Sequence, residues 1–190
     1  MKKIAIFASG SGTNAQKIME YFLGNPIIEV ALVLSNKVDA YVLTRAKDMN
    51  VPSFTFTYKE LKETSIVQDK LKEFEIDFIV LAGFMLMIPS SLIEMYPNKI
   101  VNIHPALLPK FGGKGMYGDF VHQAVIEAGE KESGITIHFV NEKYDEGKII
   151  FQAECPVDEN DTPETLATKV HALEHRDYPG IIEKVILAEI

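Results

Sequence analysis

The chain has 190 residues and a formal net charge of −8 at pH 7, a length typical of one compact domain, so we expect residues 1–190 to form a single domain. The acidic balance, with a pI near 5.2, argues against nucleic acid as a partner, because binding to its backbone needs a basic stripe. The longest apolar run, residues 79–88, is far shorter than the roughly 20 residues that cross a bilayer, so we expect no membrane partner either.

Strand-like and helix-like segments alternate through the first half of the chain. Strands are predicted at 2–9, 27–35, 52–57 and 77–83, and helices at 13–23, 39–49 and 65–74. This alternation is typical of βαβ units, in which helices cover both faces of a parallel sheet. A short helix near 90–96 then precedes a strand at 99–104.

The second half departs from that rhythm. Residues 134–141 and 148–157 alternate like strands around a turn at 144–147, which predicts a hairpin-like pair at the sheet edge. A long helical segment runs from Pro163 to the terminus, and Pro179 predicts a kink or break near 177–180. The predicted fold is α/β: a Rossmann-like three-layer fold with a mostly parallel mixed sheet, antiparallel strands at one edge and a long C-terminal helical segment.

A glycine-rich loop, Ser9-Gly10-Ser11-Gly12-Thr13-Asn14, lies between the first predicted strand and the first helix. Glycines let backbone N–H groups turn inward, and a helix amino terminus adds positive potential, so the loop is a candidate phosphate site. It also fits the dinucleotide pattern G-x-G-x-x-A, but residues 34–37 hold no acid for a ribose diol, and the Walker pattern is not completed. A monophosphate ester is therefore the preferred ligand; a glycine turn in which Thr13 or Asn14 merely caps the helix is the alternative.

Asn102, His104 and Pro105 end a strongly apolar strand. Side chains two positions apart on a strand project to the same side, so an amide donor and an imidazole stand together. Pro105 stops the strand at its carboxyl end, which is where open parallel sheets bind ligands. We therefore predict that Asn102 and His104 are catalytic.

Asp145 lies in the turn between the two predicted hairpin strands. If this hairpin lies beside the strand at 99–104, the carboxylate can orient the imidazole of His104 and favour its protonated form. A purely backbone role in the turn is the alternative. The other histidines lack such a setting, and we predict that His122, His138 and His171 are structural or exposed.

Neither metal chemistry nor a covalent nucleophile is indicated. The chain has no His-x-Glu or Cys-x-x-Cys pattern, no two-histidine-plus-carboxylate spacing and no Gly-x-Ser-x-Gly elbow, so we expect no metal. The single cysteine, Cys155, cannot form an internal disulfide and is predicted to be a small buried hydrophobe. Together with a start that does not read as a signal peptide, it predicts a cytoplasmic location.

An anion site, an amide, an imidazole and a carboxylate suit a direct transfer between two bound substrates. In such a reaction the amide and the imidazole stabilise an oxyanion, which favours acyl or formyl transfer to an amine. The stretch 112–118, with four glycines in seven residues, is either an active-site loop or a solvent loop.

Six segments in register resemble the phosphoribosylglycinamide formyltransferase family. They are Ala8-Ser9-Gly10-Ser11-Gly12-Thr13-Asn14, Ser35-Asn36-Lys37 with Asp39-Ala40, Leu81-Ala82-Gly83-Phe84-Met85, Asn102-Ile103-His104-Pro105-Ala106-Leu107-Leu108-Pro109, Ile137-His138-Phe139-Val140 with Asp145-Glu146-Gly147, and Glu174-His175. The resemblance implies transfer of a formyl group from 10-formyltetrahydrofolate to the amino group of glycinamide ribonucleotide in de novo purine biosynthesis. The expected reaction is direct attack through a tetrahedral intermediate that Asn102 and protonated His104 stabilise with Asp145.

The resemblance also implies a role for individual residues. The catalytic residues are Asn102, His104 and Asp145; the ribonucleotide is bound by Gly12, Thr13, Asn14 and Glu174; and the folate is bound by Met85, Leu86, Met87, Ile88 and Asn102. Family members often carry Arg at the position of Leu86, which leaves Lys59 or Lys62 to meet the folate tail. The usual Pro-Gly loop after Pro109 is replaced by the glycine-rich stretch 111–118.

Other functions stay open at this stage. Folate-dependent enzymes of related kinds formylate methionyl-tRNA or a sugar nucleotide amine, or hydrolyse the formyl group. A nucleotide-binding module that uses only the 9–14 loop is the non-enzymatic alternative, although it leaves Asn102 and His104 without a role. Both a monomer and a homodimer are compatible with the sequence.

Overall fold

The computed structural model describes residues 1–188, and strands alternate with helices along most of them. The strands are β1 (Lys2–Phe7), β2 (Ile28–Ser35), β3 (Ser53–Thr55), β4 (Phe78–Leu81), β5 (Ile100–His104), β6 (Glu132–Phe139) and β7 (Ile149–Pro156). The helices are α1 (Thr13–Tyr21), α2 (Tyr41–Asp48), α3 (Tyr58–Glu63), α4 (Ile66–Glu73), α5 (Ser90–Met95), α6 (Asp119–Glu127) and α7 (Pro163–Ile186).

The strands form one sheet in the order β3-β2-β1-β4-β5-β6-β7. Neighbours among β1 to β5 are parallel, whereas β6 is antiparallel to β5 and β7 is antiparallel to β6. The predicted mixed sheet with antiparallel strands at one edge is confirmed. Because β2 lies on one side of β1 and β4 on the other, the strand order reverses at β1, and open α/β sheets bind ligands at such a switch point.

Helices cover both faces of the sheet and bury two hydrophobic clusters. Ile4 and Ile6 of β1 point to the cluster beneath α1, α2, α6 and α7, whereas Ala5 and Phe7 point to the cluster beneath α3, α4 and α5. Because alternate side chains of a strand reach opposite faces, a strand covered on both sides needs a continuous apolar run. The strand ends that carry the polar residues therefore extend from a sheet that is packed on both faces.

Two helices, α3 and α6, were not among the predicted elements. The start of α3 carries a capping box, in which Thr57 and Glu60 satisfy each other's backbone N–H groups, and this Thr-x-x-Glu spacing is visible in the sequence. The start of α6 has no such signal, because its N-cap is Gly118 with a φ of 55° and no side-chain cap. Its apolar spacing at Val121 and Val125 is short and follows directly on the glycine-rich stretch.

Of the kink or break predicted near 177–180, the break is absent. Helix α7 continues through Pro179, although proline removes a backbone donor and costs about 3 kcal/mol or more within a helix. Tyr178, Ile181 and Ile182 are buried on both sides of it, and each such side chain contributes roughly 1.5–3 kcal/mol by burial, so packing outweighs the lost bond. The part of the predicted helix beyond residue 188 lies outside the described residues.

Helix α7 has 24 residues, which is a length that could cross a bilayer. Neither it nor any other helix within residues 1–188 combines that length with enough apolar character to do so.

Candidate active site

A cavity of about 630 Å³ opens where β1, β4 and β5 end. This volume suits a bound small molecule. The lining comes from segments far apart in sequence, namely residues 10–14, 81–88, 102–105, 113–118 and 143–145, together with His122, His138, Val140, Asn141, His171, Glu174 and His175. Most of the site residues predicted from the sequence therefore share one cavity.

Residues 10–14 form one wall of this cavity at the amino terminus of α1. Gly12 is the N-cap residue, has a φ of 73° and leaves the helix without a side-chain cap, so capping by Thr13 or Asn14 does not explain the loop. A Cβ at position 12 would clash with the side chain and backbone of Val42. The close approach of α2 and the left-handed backbone both require glycine here, and the first-turn N–H groups of α1 stay available to an anion.

Ser9 joins this loop to the segment after β4. Its hydroxyl donates to Oδ1 of Asn36 at 2.6 Å and accepts the backbone N–H of Met85 at 3.0 Å. The predicted anion loop and the predicted folate segment are thus held side by side. Both segments keep this relation through buried polar bonds, which are costly to break.

Asn14 and Glu174 connect α1 to α7 at the same wall. The amide Nδ2 of Asn14 donates to Oε2 of Glu174 at 2.8 Å, and Glu174 is buried. Burial raises the pKa of Glu174, while the hydrogen bond from Asn14 opposes that rise. Within residues 1–188, the buried Oδ1 of Asn14 has no hydrogen-bond partner.

His104 contacts both the glycine-rich stretch and Asp145. Its Nε2 lies 2.7 Å from the carbonyl oxygen of Phe111, and since a carbonyl only accepts, Nε2 carries a hydrogen. Its Nδ1 lies 3.6 Å from Oδ2 of Asp145, which is close for charges but long for a hydrogen bond. Nδ1 is therefore the ring nitrogen that remains free for a ligand.

His138 orients Asn102 and Asp145 from the neighbouring strand. Its Nδ1 lies 2.9 Å from the carbonyl of Phe139, so Nε2 is the acceptor, and Nδ2 of Asn102 donates to it at 3.2 Å. The same Nε2 lies 3.6 Å from Oδ1 of Asp145. His138 was predicted to be structural or exposed, and it is buried. Its hydrogen bond to Asn102 depends on the pairing of these two residues between β5 and β6.

Burial and the carboxylate of Asp145 act in opposite directions on the pKa of His104. Burial lowers this pKa, and the negative charge of Asp145 only partly opposes that effect. Burial alone would raise the pKa of Asp145, but hydrogen bonding to the carboxylate, to which the N–H of Gly113 contributes, lowers it. The protonated state expected for His104 stays a prediction, because burial acts against the imidazolium and the carboxylate of Asp145 acts in its favour.

The backbone is strained at Asp145 itself and at Phe111, which contacts His104. Phe111 and Asp145 have φ values of 56° and 54°, in the left-handed region that costs about 1–2 kcal/mol for a residue with a side chain. The N–H of Gly113 donates to Oδ2 of Asp145 at 2.9 Å, so the stretch 111–118 contacts both members of the pair. Of the two readings of that stretch, its place in the cavity lining favours an active-site loop.

The part of the lining that follows β4 is apolar. Met85, Leu86, Met87 and Ile88 follow β4 and line the cavity, and Met85 and Met87 are 45% and 40% exposed. Exposed methionine side chains form adaptable contact surfaces for flat apolar ligands.

The lysines predicted to meet a folate tail lie elsewhere. Lys59 and Lys62 belong to α3 and do not line the cavity. Helix α3 begins after the capping box at Thr57 and packs through Leu61 on the hydrophobic cluster beneath α3, α4 and α5. Within residues 1–188 the lysines in the lining are Lys114 and Lys143.

Three further histidines line the cavity although the sequence suggested no role for them there. His122 is buried, His171 is exposed on the cavity side of α7, and His175 follows Glu174. Only the docking of α6 against α7 brings the first of them to the other two. In the part of the chain that the structure describes, no group of three or more His, Cys, Asp or Glu side chains has a geometry that could hold a metal ion.

Comparisons with known proteins agree with this arrangement. The chain matches the formyl transferase family over residues 2–182. It is 40% identical over 191 residues to the phosphoribosylglycinamide formyltransferase of Bacillus subtilis (strain 168), which covers 98% of this chain and 95% of that protein. A crystal structure of phosphoribosylglycinamide formyltransferase from Bacillus halodurans matches with a TM-score of 0.87 and 41% identity, covering 97% of this chain and 95% of that one.

Plant relatives are longer than this chain. The chloroplastic phosphoribosylglycinamide formyltransferase of Arabidopsis thaliana is 42% identical over 187 residues, or 95% of this chain. The chain spans 64% of that protein's length, and 60% of the corresponding protein of Vigna unguiculata.

Proposed function

Because the chain belongs to the formyl transferase family, we propose that it transfers a formyl group from 10-formyltetrahydrofolate to the amino group of glycinamide ribonucleotide, a step of purine biosynthesis. The observation that carries this proposal is the meeting of three features in one cavity. These are an amide-lined helix terminus, an apolar wall and a set of an amide, an imidazole and a carboxylate. The relatives named for this activity support the choice of substrates.

The two substrates occupy different parts of the cavity lining in this proposal. The phosphate of the ribonucleotide binds the N–H groups of Gly12, Thr13 and Asn14, and Glu174 contacts its ribose. The pteridine of the folate lies against the apolar segment 85–88, which is long enough and exposed enough to cover a flat heterocycle. The formyl carbon then lies near Asn102, between the two walls.

Attack of the amine forms a carbon–nitrogen bond and turns the formyl oxygen into an oxyanion. One N–H of the Asn102 amide is held by His138, and the other is free to donate to that oxygen. A preorganised donor of this kind stabilises a transition state by roughly 3–4 kcal/mol. Asn102 thus lowers the barrier without having to reorganise.

The proton of the attacking nitrogen goes to Nδ1 of His104 in this proposal. Burial lowers the pKa of this imidazole, which favours the neutral form whose Nδ1 lone pair accepts the proton. The imidazolium that forms lies beside the oxyanion and the carboxylate of Asp145, both of which stabilise it. When the intermediate collapses, the bond to the folate nitrogen breaks and Nδ1 returns the proton to that leaving nitrogen.

The reaction itself is the first test. The chain is mixed with 10-formyltetrahydrofolate and glycinamide ribonucleotide, and the absorbance change of the folate is followed with each substrate omitted in turn. We expect turnover only with both. If methionyl-tRNA or a sugar nucleotide amine is formylated instead, the chain acts on another acceptor. If the folate is consumed without any amine, the chain is a hydrolase. If no folate is consumed at all, the nucleotide-binding module remains as the function.

Replacing Asp145 by Asn is expected to lower kcat about 100-fold, because the imidazolium loses its countercharge. The Asp145 carboxylate raises the pKa of His104 against the effect of burial, so its loss lowers that pKa further. Since protonated His104 cannot accept a proton, activity falls below this pKa, and the acid limb of the kcat profile moves to lower pH in the variant. The measurement is kcat against pH for both proteins.

Glu146→Gln is the matched control. It removes an exposed carboxylate one residue away from Asp145, which is paired with Lys143 at 3.2 Å. We expect kcat and its pH profile to stay as in the unmodified chain. An Asp145→Asn profile that superposes on the unmodified one at equal turnover would remove Asp145 from the mechanism.

A further inference from the structure

One of the six segments that carry the family resemblance has no part in the proposed function. It is Ser35-Asn36-Lys37, which begins at the last residue of β2. None of these three residues lines the cavity. Asn36 is half-buried, and its side-chain oxygen Oδ1 accepts the hydroxyl hydrogen of Ser9 at 2.6 Å. This bond is the path by which the segment reaches the site.

Ser9 connects the loops that follow three neighbouring strands. It is 1% exposed and does not line the cavity itself. Its backbone N–H donates to the carbonyl oxygen of Gly83 at 3.0 Å, and its hydroxyl oxygen accepts the N–H of Met85 at 3.0 Å. Because β2, β1 and β4 are adjacent and parallel, the loops after them leave the sheet at the same edge. Ser9, Asn36 and Met85 join these loops there.

Asn36 sets the direction of the Ser9 hydroxyl. A hydroxyl has one hydrogen to donate and two lone pairs that accept. The amide oxygen of Asn36 can only accept, so it takes the hydrogen, and a lone pair is left to face the N–H of Met85. Leaving buried polar groups without partners is costly. The two bonds of this hydroxyl therefore support each other.

The segment that lines the cavity after β4 has few other fixed points. Within residues 1–188, the bond from Met85 to Ser9 is the only hydrogen bond made by the backbone of residues 84–88. Apolar packing holds the two ends of this stretch. Phe84 packs against Phe7 with ring centroids 5.3 Å apart, and Ile88 is buried. The hydroxyl of Ser9 is thus the polar contact that fixes the backbone between them.

We infer that Ser9 is a positioning residue for formyl transfer and that Asn36 orients its hydroxyl. Together they hold segment 85–88, on which the pteridine lies in the proposed function, at a fixed place relative to the loop 10–14, which holds the phosphate. This inference rests on the proposed function and adds how the two substrates are kept in register. Reacting atoms must be closely aligned, and a misplacement of about 1 Å can cost about 100-fold in rate.

The first test is the Ser9→Ala variant, which keeps the backbone bond to Gly83 and leaves the N–H of Met85 without its partner. At saturating glycinamide ribonucleotide we expect kcat/KM for 10-formyltetrahydrofolate to fall about 10- to 100-fold. The Kd of tetrahydrofolate, which binds without reacting, should rise. The Kd of the ribonucleotide in the absence of folate should stay unchanged, because the backbone of residues 10–14 is intact. Steady-state kinetics and calorimetry give these constants.

Two variants of Asn36 test the direction of the hydroxyl. Asn36→Asp keeps an oxygen of the same shape that accepts the hydrogen of Ser9, so the folate constants should be retained. Asn36→Ala removes this acceptor and should impair folate use in the same sense as Ser9→Ala. Because both residues act through one bond to Met85, their effects should not add. The Ser9→Ala/Asn36→Ala double variant should therefore be no slower than Ser9→Ala alone.

Tyr96→Phe is the matched control. It also removes a buried hydroxyl that bonds to the backbone beside β4, but at the other end of that strand. Tyr96 donates to the carbonyl oxygen of Ile76 at 3.1 Å and does not line the cavity. We expect both Tyr96→Phe and Ser9→Ala to melt at lower temperature than the unmodified chain, while the folate constants of Tyr96→Phe stay unchanged.

The outcomes separate the two proposals. Unchanged folate constants in Ser9→Ala overturn the inference and leave formyl transfer standing. An equal loss in Tyr96→Phe also overturns it, since reduced stability would explain both, and so does a weaker ribonucleotide Kd in Ser9→Ala, since Ser9 would then act on the phosphate loop. Asn36→Asp as impaired as Asn36→Ala overturns the role of Asn36. If the unmodified chain consumes no folate in the presence of the ribonucleotide, the proposed function itself fails.

Discussion

The His104→Ala variant is expected to turn over about 100- to 10,000-fold more slowly than the unmodified chain, which is the range that a positioned acid or base contributes. Without the imidazole, the attacking nitrogen must lose its proton to water, and the leaving nitrogen must gain one from water. The KM for glycinamide ribonucleotide should change little, because His104 does not line the helix terminus at residues 12–14. Single-turnover rates at saturating concentrations of both substrates measure the effect.

The His104→Gln variant distinguishes a loss of catalysis from a loss of folding. His104 is 3% exposed, so the alanine variant leaves a small buried gap. Glutamine fills more of that gap and can still donate to the carbonyl of Phe111, the contact that His104 makes through Nε2. Both variants should be equally slow, and their melting curves should differ. A glutamine variant with near-normal turnover would exclude proton transfer by His104.

A second large loss is expected for Asn102→Ala, about 100- to 1000-fold in kcat, because the free N–H of its amide is the proposed oxyanion donor. Half-burial and the bond to His138 hold this donor in place before the substrate arrives. Ribonucleotide binding should survive, so the loss appears in kcat and not in the KM of that substrate. Steady-state kinetics with both substrates varied separates the two constants.

Gln152→Ala is a suitable comparison for that variant. It also removes an amide that donates within the protein, to the Leu108 carbonyl at 3.1 Å and the Thr136 hydroxyl at 2.8 Å, but Gln152 does not line the cavity. We expect a loss of stability with turnover retained. If the two variants lose turnover equally, Asn102 acts through the strand and not on the formyl oxygen.

Much of the fold could be predicted from local pattern. The apolar run of β4 predicted a strand covered on both sides, and Phe78–Leu81 is buried in full. The alternation at 134–141 and 148–157 predicted the antiparallel edge. Helix α6 was missed because its apolar repeat spans only a little over two turns, and continuation through Pro179 could not be foreseen because burial of neighbouring side chains decides it.

The candidate site, like the fold, could be predicted only in part from local sequence patterns. The spacing of Asn102 and His104 put both on one side of a strand end, since strand geometry has a period of two. Their relation to Asp145 was only conditional on the hairpin lying nearby, and the contact between His104 and Asp145 meets that condition at 3.6 Å. Lys59 and Lys62 do not line the cavity, because their position depends on where α3 packs, and the residue that meets the folate tail stays a prediction.

The sequence by itself determined the fold class, the strand end that carries an amide and an imidazole, and the glycine loop before α1, because each follows from short-range periodicity or from backbone conformations that few residues adopt. Only the tertiary structure decided which nitrogen of His104 is free, that burial lowers the pKa of this imidazole, and that three histidines from two helices meet beside Glu174. Hydrogen-bond partners, burial and charge proximity arise between segments that are distant in sequence, so no local pattern encodes them.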